Sequence, residues 1–156
     1  GCAYRELGEN EAAIEAFEEA RGLYKKHKEV IHVARCDLKI ASCFNKLGQG
    51  EKALDKSRIA LDVFETAHDN RRQVFTLFEY AKALELIGDS EEALATLDQV
   101  LTTASEDDPR DFEFIIEIES EIATILRRAD RAEEADEIER RLNSVRTILA
   151  DEQSAQ

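Results

Sequence analysis

Apolar residues along this chain recur with the helical period, in blocks separated by short polar turns. In YRELGENEAAIEAF, residues 4 to 17, a Leu7-Gly8 pair leads into an acidic turn, after which Ala13, Ile14 and Phe17 share one helical face. The same pattern predicts first helices over 1 to 7, 29 to 47, 71 to 87 and 110 to 129. Each is followed by a second helix, over 11 to 26, 51 to 67, 90 to 104 and 132 to 149. HDN at 68 to 70 and SEDDP at 105 to 109 separate one pair from the next, and Pro109 suits the first turn of the following helix. The last helix carries Ile138, Leu142, Val145 and Leu149 as one apolar stripe on a charged rod, and DEQSAQ at 151 to 156 trails off as a polar tail. That is the form expected of the outermost layer of a stack.

The blocks repeat in phase. FNKLGQGEKALDKS at 44 to 57 and LELIGDSEEALATL at 84 to 97 restate the opening stretch. Gly8, Gly48 and Gly88 stand forty residues apart, and Ala13, Ala53 and Ala93 keep the same step. A worn copy, LRRADRAEEADEIE at 126 to 139, places Ala135 forty-two residues after Ala93 and puts Asp130 where the glycine stood. Each residue type has a physical role. The glycine ends a first helix by taking φ > 0. The alanine is small because there the second helix lies closest to the first. Upstream, small residues (Gly1, Ala41, Ala81, Ala123) alternate with large plugs (Tyr4, Phe44, Leu84, Leu126), a knob-and-notch arrangement.

A small residue, a bulky one, a Leu-Gly turn, then Ala, an aromatic and Ala is the order of the tetratricopeptide repeat, which this chain resembles over residues 1 to about 150. The first copy reads Gly1, Tyr4, Leu7-Gly8, Ala13, Phe17, Ala20, and the second Ala41, Phe44, Leu47-Gly48, Ala53, Ser57, Ala60. The period of forty exceeds the common repeat of ~34 and lacks its closing proline, as in the longer repeats of kinesin light chains and of bacterial peptide-sensing regulators. The expected fold is all-α. The resemblance implies a right-handed superhelical solenoid of antiparallel helix pairs with about three and a half to four repeats. These are placed at about 1–28, 29–69, 70–108 and 109–150 of a single domain, followed by the tail. The first helix of the first copy is short against the family pattern, which predicts further repeats upstream.

Composition agrees. One proline and six glycines in 156 residues, with Ala, Leu, Ile, Glu, Lys and Arg dominant, favour helix over sheet. No run reaches the ~18 to 20 apolar residues of a membrane helix and no leader opens the chain, so a cytoplasmic protein is expected. With no methionine in the sequence, Gly1 is not expected to be a natural start, and the chain is expected to be a piece of a longer protein. Three irregularly spaced cysteines, Cys2, Cys36 and Cys43, suit free thiols in a reducing compartment. The net charge of −14 is uneven: residues 1–48 hold 8 acids and 8 bases, 49–88 hold 7 and 6, and 89–156 hold 20 and 7. Such a field repels phosphate backbones and anionic lipid, so neither a nucleic-acid nor a membrane partner is expected.

Candidate chemistry is sparse. His32, Cys36 and Cys43 share a face approximately, but they lack the second ligand pair of a structural zinc site, so no metal is expected. No phosphate loop, nucleophile elbow or His-Glu-x-x-His occurs, and Glu91-Glu92 and Glu133-Glu134 serve helix starts, so neither an enzyme nor a cofactor is expected. The resemblance places ligands in a concave groove lined by first helices. With Leu77, Ala81 and Leu84 as packing face, the groove side would show Phe75, Phe78, Lys82 and Glu85. Its counterparts are Arg35, Leu38, Ser42 and Asn45 in the second copy and Glu117, Ser120, Thr124 and Arg127 in the fourth. Phe75 and Phe78 either anchor a peptide there or serve as core. The carboxylate clamp of chaperone-binding relatives is echoed only by Lys39, Asn45 and Lys82, with Glu79 opposed. The expected role is non-catalytic recognition of a partner peptide or helix. The alternatives are a peptide-sensing domain controlling an attached effector, and a scaffold self-associating through its truncated first repeat.

Overall fold

The chain takes positive φ at Lys28 (57°), Gly48 (73°), His68 (55°), Gly88 (92°) and Asp130 (59°). The first four stand twenty residues apart, and all five close a helix by one device. The left-handed residue donates its N–H to the carbonyl three positions back, and the next residue donates to the carbonyl five back. Gly48 bonds Asn45 at 3.0 Å and Gln49 bonds Phe44 at 2.9 Å; Asp69 to Phe64 (2.9 Å), Asp89 to Leu84 (2.9 Å) and Arg131 to Leu126 (2.8 Å) repeat the outer bond. The final carbonyls of these five helices are thereby satisfied, and the chain reverses within three residues. The residue after the left-handed one then opens the next helix, its carbonyl accepting from Ala53, Gln73, Ala93 or Ala135. Turns within a repeat and turns between repeats are therefore built alike.

The computed structural model describes residues 2–107 and 112–155, with side chains over 3–103 and 113–155. Among these the secondary structure is helical throughout: α1 (Cys2–Lys26), α2 (Val30–Lys46), α3 (Gly50–Thr66), α4 (Asn70–Leu86), α5 (Ser90–Asp107), α6 (Phe112–Arg128) and α7 (Ala132–Ser154). No helix among the described residues is long and apolar enough to cross a membrane. The expected all-α array of helix pairs is what forms. Contacts divide the chain into two compact units, 1–96 and 97–156.

In the first unit α1 packs on α2, α2 on α3 and α3 on α4, while α2 also reaches α4 across the pair boundary. This is the contact pattern of stacked hairpins. The notch alanines do what their spacing predicts: Ala41, Ala53, Ala81 and Ala93 are fully buried. Ala34, Ala60 and Phe64 form a core cluster closed by Ile31, Leu38 and Val63. Among the glycines, close approach falls at Gly50, a position the sequence reading passed over. A Cβ there would lie 2.7 Å from Leu86 Cβ and 3.1 Å from the Ala83 carbonyl oxygen, so the start of α3 is pressed against the end of α4.

The first copy departs from expectation. Gly8 makes no turn: α1 runs unbroken from Cys2 to Lys26, with Gly8 exposed and open space around it. A helix ending at residue 7 would have about two turns, too few to stand without a docked face, whereas continuing the existing helix through one glycine costs only about 1 kcal/mol. Tyr4 and Leu7, expected as a plug and a turn residue, are left 83% and 43% exposed.

In the second unit α6 packs on α7. Ile118, Ile122, Ala123, Ile125 and Leu126 are buried on α6, and Ala135 and Leu142 on α7, with Ile138, Val145 and Leu149 half-buried along the expected stripe. Arg127 ties the pair together: its guanidinium donates to Asp136 (2.6 Å) and Glu139 (2.7 and 3.0 Å). These bonds, Glu139 first, raise the Arg127 pKa, and the same contact lowers that of Glu139. DEQS of the expected polar tail is helical through Ser154. The expected link at 105–109 begins later, since α5 runs to Asp107, and Pro109 lies outside the described residues.

Candidate functional site

A helix with a full ring of neighbours shows no side chains outward, so a surface for recognition must come from rows that packing leaves over. On α2 packing takes Ala34, Cys36, Asp37, Ile40, Ala41 and Cys43. The leftover edge is His32, Arg35, Lys39, Ser42 and Lys46, spaced by three and four residues. On α4 packing takes Val74, Thr76, Phe78, Ala81, Ala83 and Leu84, leaving Arg71, Phe75, Lys82 and Leu86 at the edge.

The structure sorts the groove residues of the first unit into two groups. Arg35 is exposed, while Ser42, Phe75, Lys82 and Glu85 are half-buried at the edge. Leu38 packs on the core cluster. Phe78 is 4% exposed and belongs to the core, so of its two alternatives packing is the one realised. The cause is a rotation of α4: Val74, Phe78 and Ala81 face inward, and Leu77 moves to half-buried flank. Lys82 lies over the Phe78 ring at 4.5 Å and pairs with Glu79 at 3.6 Å. Arg71 lies over Phe75, 6.0 Å from the ring centre. Asn45 is committed internally, its amide donating to the Glu79 carbonyl at 2.9 Å and carboxylate at 2.8 Å, and Glu85 accepts from Ser90 at 3.0 Å.

On α6, in the second unit, Glu117, Thr124 and Arg127 are exposed and Ser120 is half-buried. Thr124 returns its hydroxyl to the Ser120 carbonyl at 2.9 Å. Arg127, expected in the groove, is instead held by two carboxylates of α7, because the acidic second helix faces it across the turn.

The two edges differ in electrical sign. Arg35 and Lys39 on α2 form no ion pair with a described residue, whereas α6 shows Glu113 and Glu117. Between α1 and α2 lies a slot of about 230 Å³ lined by Phe17, Ala20 and Tyr24 on one side and His32, Arg35, Cys36 and Lys39 on the other. His32 stacks on Tyr24 with ring centres 4.8 Å apart and meets Glu29 at 2.9 Å. The sequence reading missed the slot. Phe17, Tyr24 and Lys39 lie on two helices, and only the packing of α1 on α2 brings them together.

Of the residues weighed for a metal, His32 is engaged as described and Cys36 and Cys43 are buried free thiols. Burial, helped at Cys36 by the neighbouring Asp37 carboxylate, pushes both thiols up, away from the thiolate form needed for ligation or attack. No group of three metal-ligating side chains gathers among the described residues.

Residues 75–106, from mid α4 to near the end of α5, match the family model for the tetratricopeptide repeat. No curated protein matches the chain in sequence. Among solved structures it is similar to the nearly identical TPR-like repeats of a Podosopora anserina protein assigned as a kinesin light chain. The identity is 13% and the TM-score 0.45, over 95% of this chain and 93% of that one. A single-substitution variant of the same repeats gives 13% and 0.47, over 96% and 93%.

Proposed function

We propose that this chain, carrying a tetratricopeptide repeat at 75–106, is a non-catalytic interaction module that holds a peptide or helix of a partner protein against the outward edges of α2 and α4. One observation carries the reading. Both first helices keep a row of polar and aromatic side chains that packing does not consume, and the rows are in register, Arg35 with Phe75 and Ser42 with Lys82, forty residues apart. Fully buried alanines hold the helices behind these rows in fixed positions, so a ligand meets a preformed surface and bears most of the ordering cost itself. The test is selection of a random-peptide library on the immobilised chain, with a Phe75→Ala, Lys82→Glu form alongside. Peptides enriched on the native chain and lost from the variant support the reading. Failure to enrich any peptide removes it.

A second reading, self-association, rests on the N-terminal half of α1, where Tyr4 is 83% exposed and a recess of about 710 Å³ is lined by Ala3, Glu6, Leu7, Glu9, Asn10 and Lys46. Sedimentation across a concentration series decides it: a dimer abolished by Tyr4→Lys supports it, and a monomer throughout rejects it.

A further inference from the structure

Two fully buried side chains of the first unit, Asp37 on α2 and Ser57 on α3, each carry a polar atom to which the protein gives no partner. Among the described residues, Asp37 Oδ2 and Ser57 Oγ accept and donate nothing, and so do not bond each other. The other carboxylate oxygen of Asp37 is well supplied, with Arg21 at 2.7 Å and Lys56 at 3.3 Å. Buried polar atoms are rarely stranded, because each one left without a hydrogen bond bears the full loss of its contact with water.

Helix register sets the two atoms on one level. Ala34 of α2 and Ala60 of α3 belong to one core cluster. Three residues onward along α2, and three back along the antiparallel α3, stand Asp37 and Ser57. Lys56, the neighbour of Ser57, reaches Asp37 and marks the same level. The Ser57 hydroxyl also behaves unlike the other buried hydroxyls described. Those of Thr76 and Thr96 donate to the carbonyl four residues back, at 2.6 Å and 2.8 Å, and Ser57 makes no such bond. One copy later its position holds Leu97, fully buried, so a shorter side chain stands in α3 where the array elsewhere encloses a leucine.

We propose that α2 and α3 bind one water molecule between them, donating to Asp37 Oδ2 and sharing a second hydrogen bond with Ser57 Oγ. A carboxylate oxygen only accepts, so the ligand must be a donor, and the serine hydroxyl can complete the bridge in either sense. The ligand must also be neutral. Asp37 and Glu18 are already balanced by Arg21 and Lys56, so an added ion would be buried without a counter-charge. Water meets both conditions, needs only two to four polar partners, and replaces a direct bond at little cost. The bridge is independent of what the outward rows of α2 and α4 hold. It also gives α2 a rule for choosing its partner, because against α5 the Asp37 carboxylate would face Leu97 in place of Ser57 and its bridge would be lost.

A crystal structure of the whole chain, at a resolution that shows ordered water, tests the site directly. One water within hydrogen-bond distance of both Asp37 Oδ2 and Ser57 Oγ is the expected result. A Ser57 hydroxyl turned to the Ala53 carbonyl, a direct bond between the two side chains, or a water on only one of them overturns the proposal. In solution, urea denaturation of Ser57→Ala, Asp37→Leu and the double variant closes a thermodynamic cycle, after circular dichroism confirms that each is folded. Ser57→Ala should lower the folding constant about two- to tenfold more in the native background than in Asp37→Leu, the helix propensity of alanine being common to both. Equal effects in the two backgrounds would mean that the side chains act separately, which also overturns it.

Discussion

Arg21 of α1 places its Nε 2.7 Å from Oδ1 of Asp37 on α2, a carboxylate with no exposure to solvent. Lys56 of α3 meets the same oxygen at 3.3 Å and continues to Glu18 at 2.9 Å. One buried acid is therefore held by cations from both neighbouring helices. In the next copy the same position is Leu77, which lies half-buried on the flank of α4. Stripping both cations with Arg21→Ala, Lys56→Ala strands a buried charge and should cost about 3–5 kcal/mol. Asp37→Leu leaves two cations that are already about a fifth exposed and can turn to water, so its cost should stay within ~1 kcal/mol. Urea denaturation of the two variants checks the order, and equal losses would refute it.

Gly50→Ala should destabilise by about 1–3 kcal/mol, because the added methyl meets Leu86 Cβ and the Ala83 carbonyl, neither of which can move without shifting α4. Gly8→Ala and Gly22→Ala add the same methyl in open space on α1 and should stabilise by about 0.5–1 kcal/mol. Thermal unfolding of the three variants separates close approach from helix propensity.

His68 holds φ of 55° where the neighbouring turns of the first unit, twenty residues to either side, use glycine. His68→Gly should raise stability by about 1 kcal/mol, and Gly88→Ala at φ 92° should lower it by at least as much. Opposite signs in chemical denaturation are the expected result.

Asp69 caps α4, accepting from the Arg72 N–H at 3.2 Å and from its guanidinium. Burial raises its pKa, but the side-chain and backbone bonds from Arg72 outweigh burial and hold it below the usual carboxylate range. A folded-state pKa below the unfolded one means the contribution is complete above the unfolded value, near pH ~4, and is lost as pH falls through the folded value. Asp69→Ala should therefore cost about 1 kcal/mol at neutral pH, with the gap to native closing in acid. A gap that is constant from pH ~7 to ~3 would contradict the assignment.

How far the sequence could be read depended on whether a feature repeats. Glycine and alanine at a step of forty located α2 to α5, and the worn copy, with Asp130 and Ala135, located α6 and α7, because each turn and each notch is a local requirement stated several times over. Gly8 was misread because its neighbours copy the motif while the turn itself needs a docked first helix, which seven residues do not supply. Phe78 could be read as groove or as core, because its helix is apolar around much of its circumference and the rotation of such a helix is set by its neighbours. The slot between α1 and α2 lay beyond reading, since Phe17 and Lys39 belong to different helices and neither repeats in the next copy.

The equal length of α2, α3, α4 and α6, 17 residues each, together with uniform three-residue turns in the first unit, gives the array a parity. Excising or duplicating a forty-residue block joins like to like, and every notch still meets its knob. Excising a twenty-residue block would preserve every turn and every helix end, yet it would seat one first helix directly after another. Outward rows would then be driven against the core, and the alanines would face open water. Growth or loss by whole pairs is what this architecture can absorb, and the local geometry of its turns offers no protection against the half step.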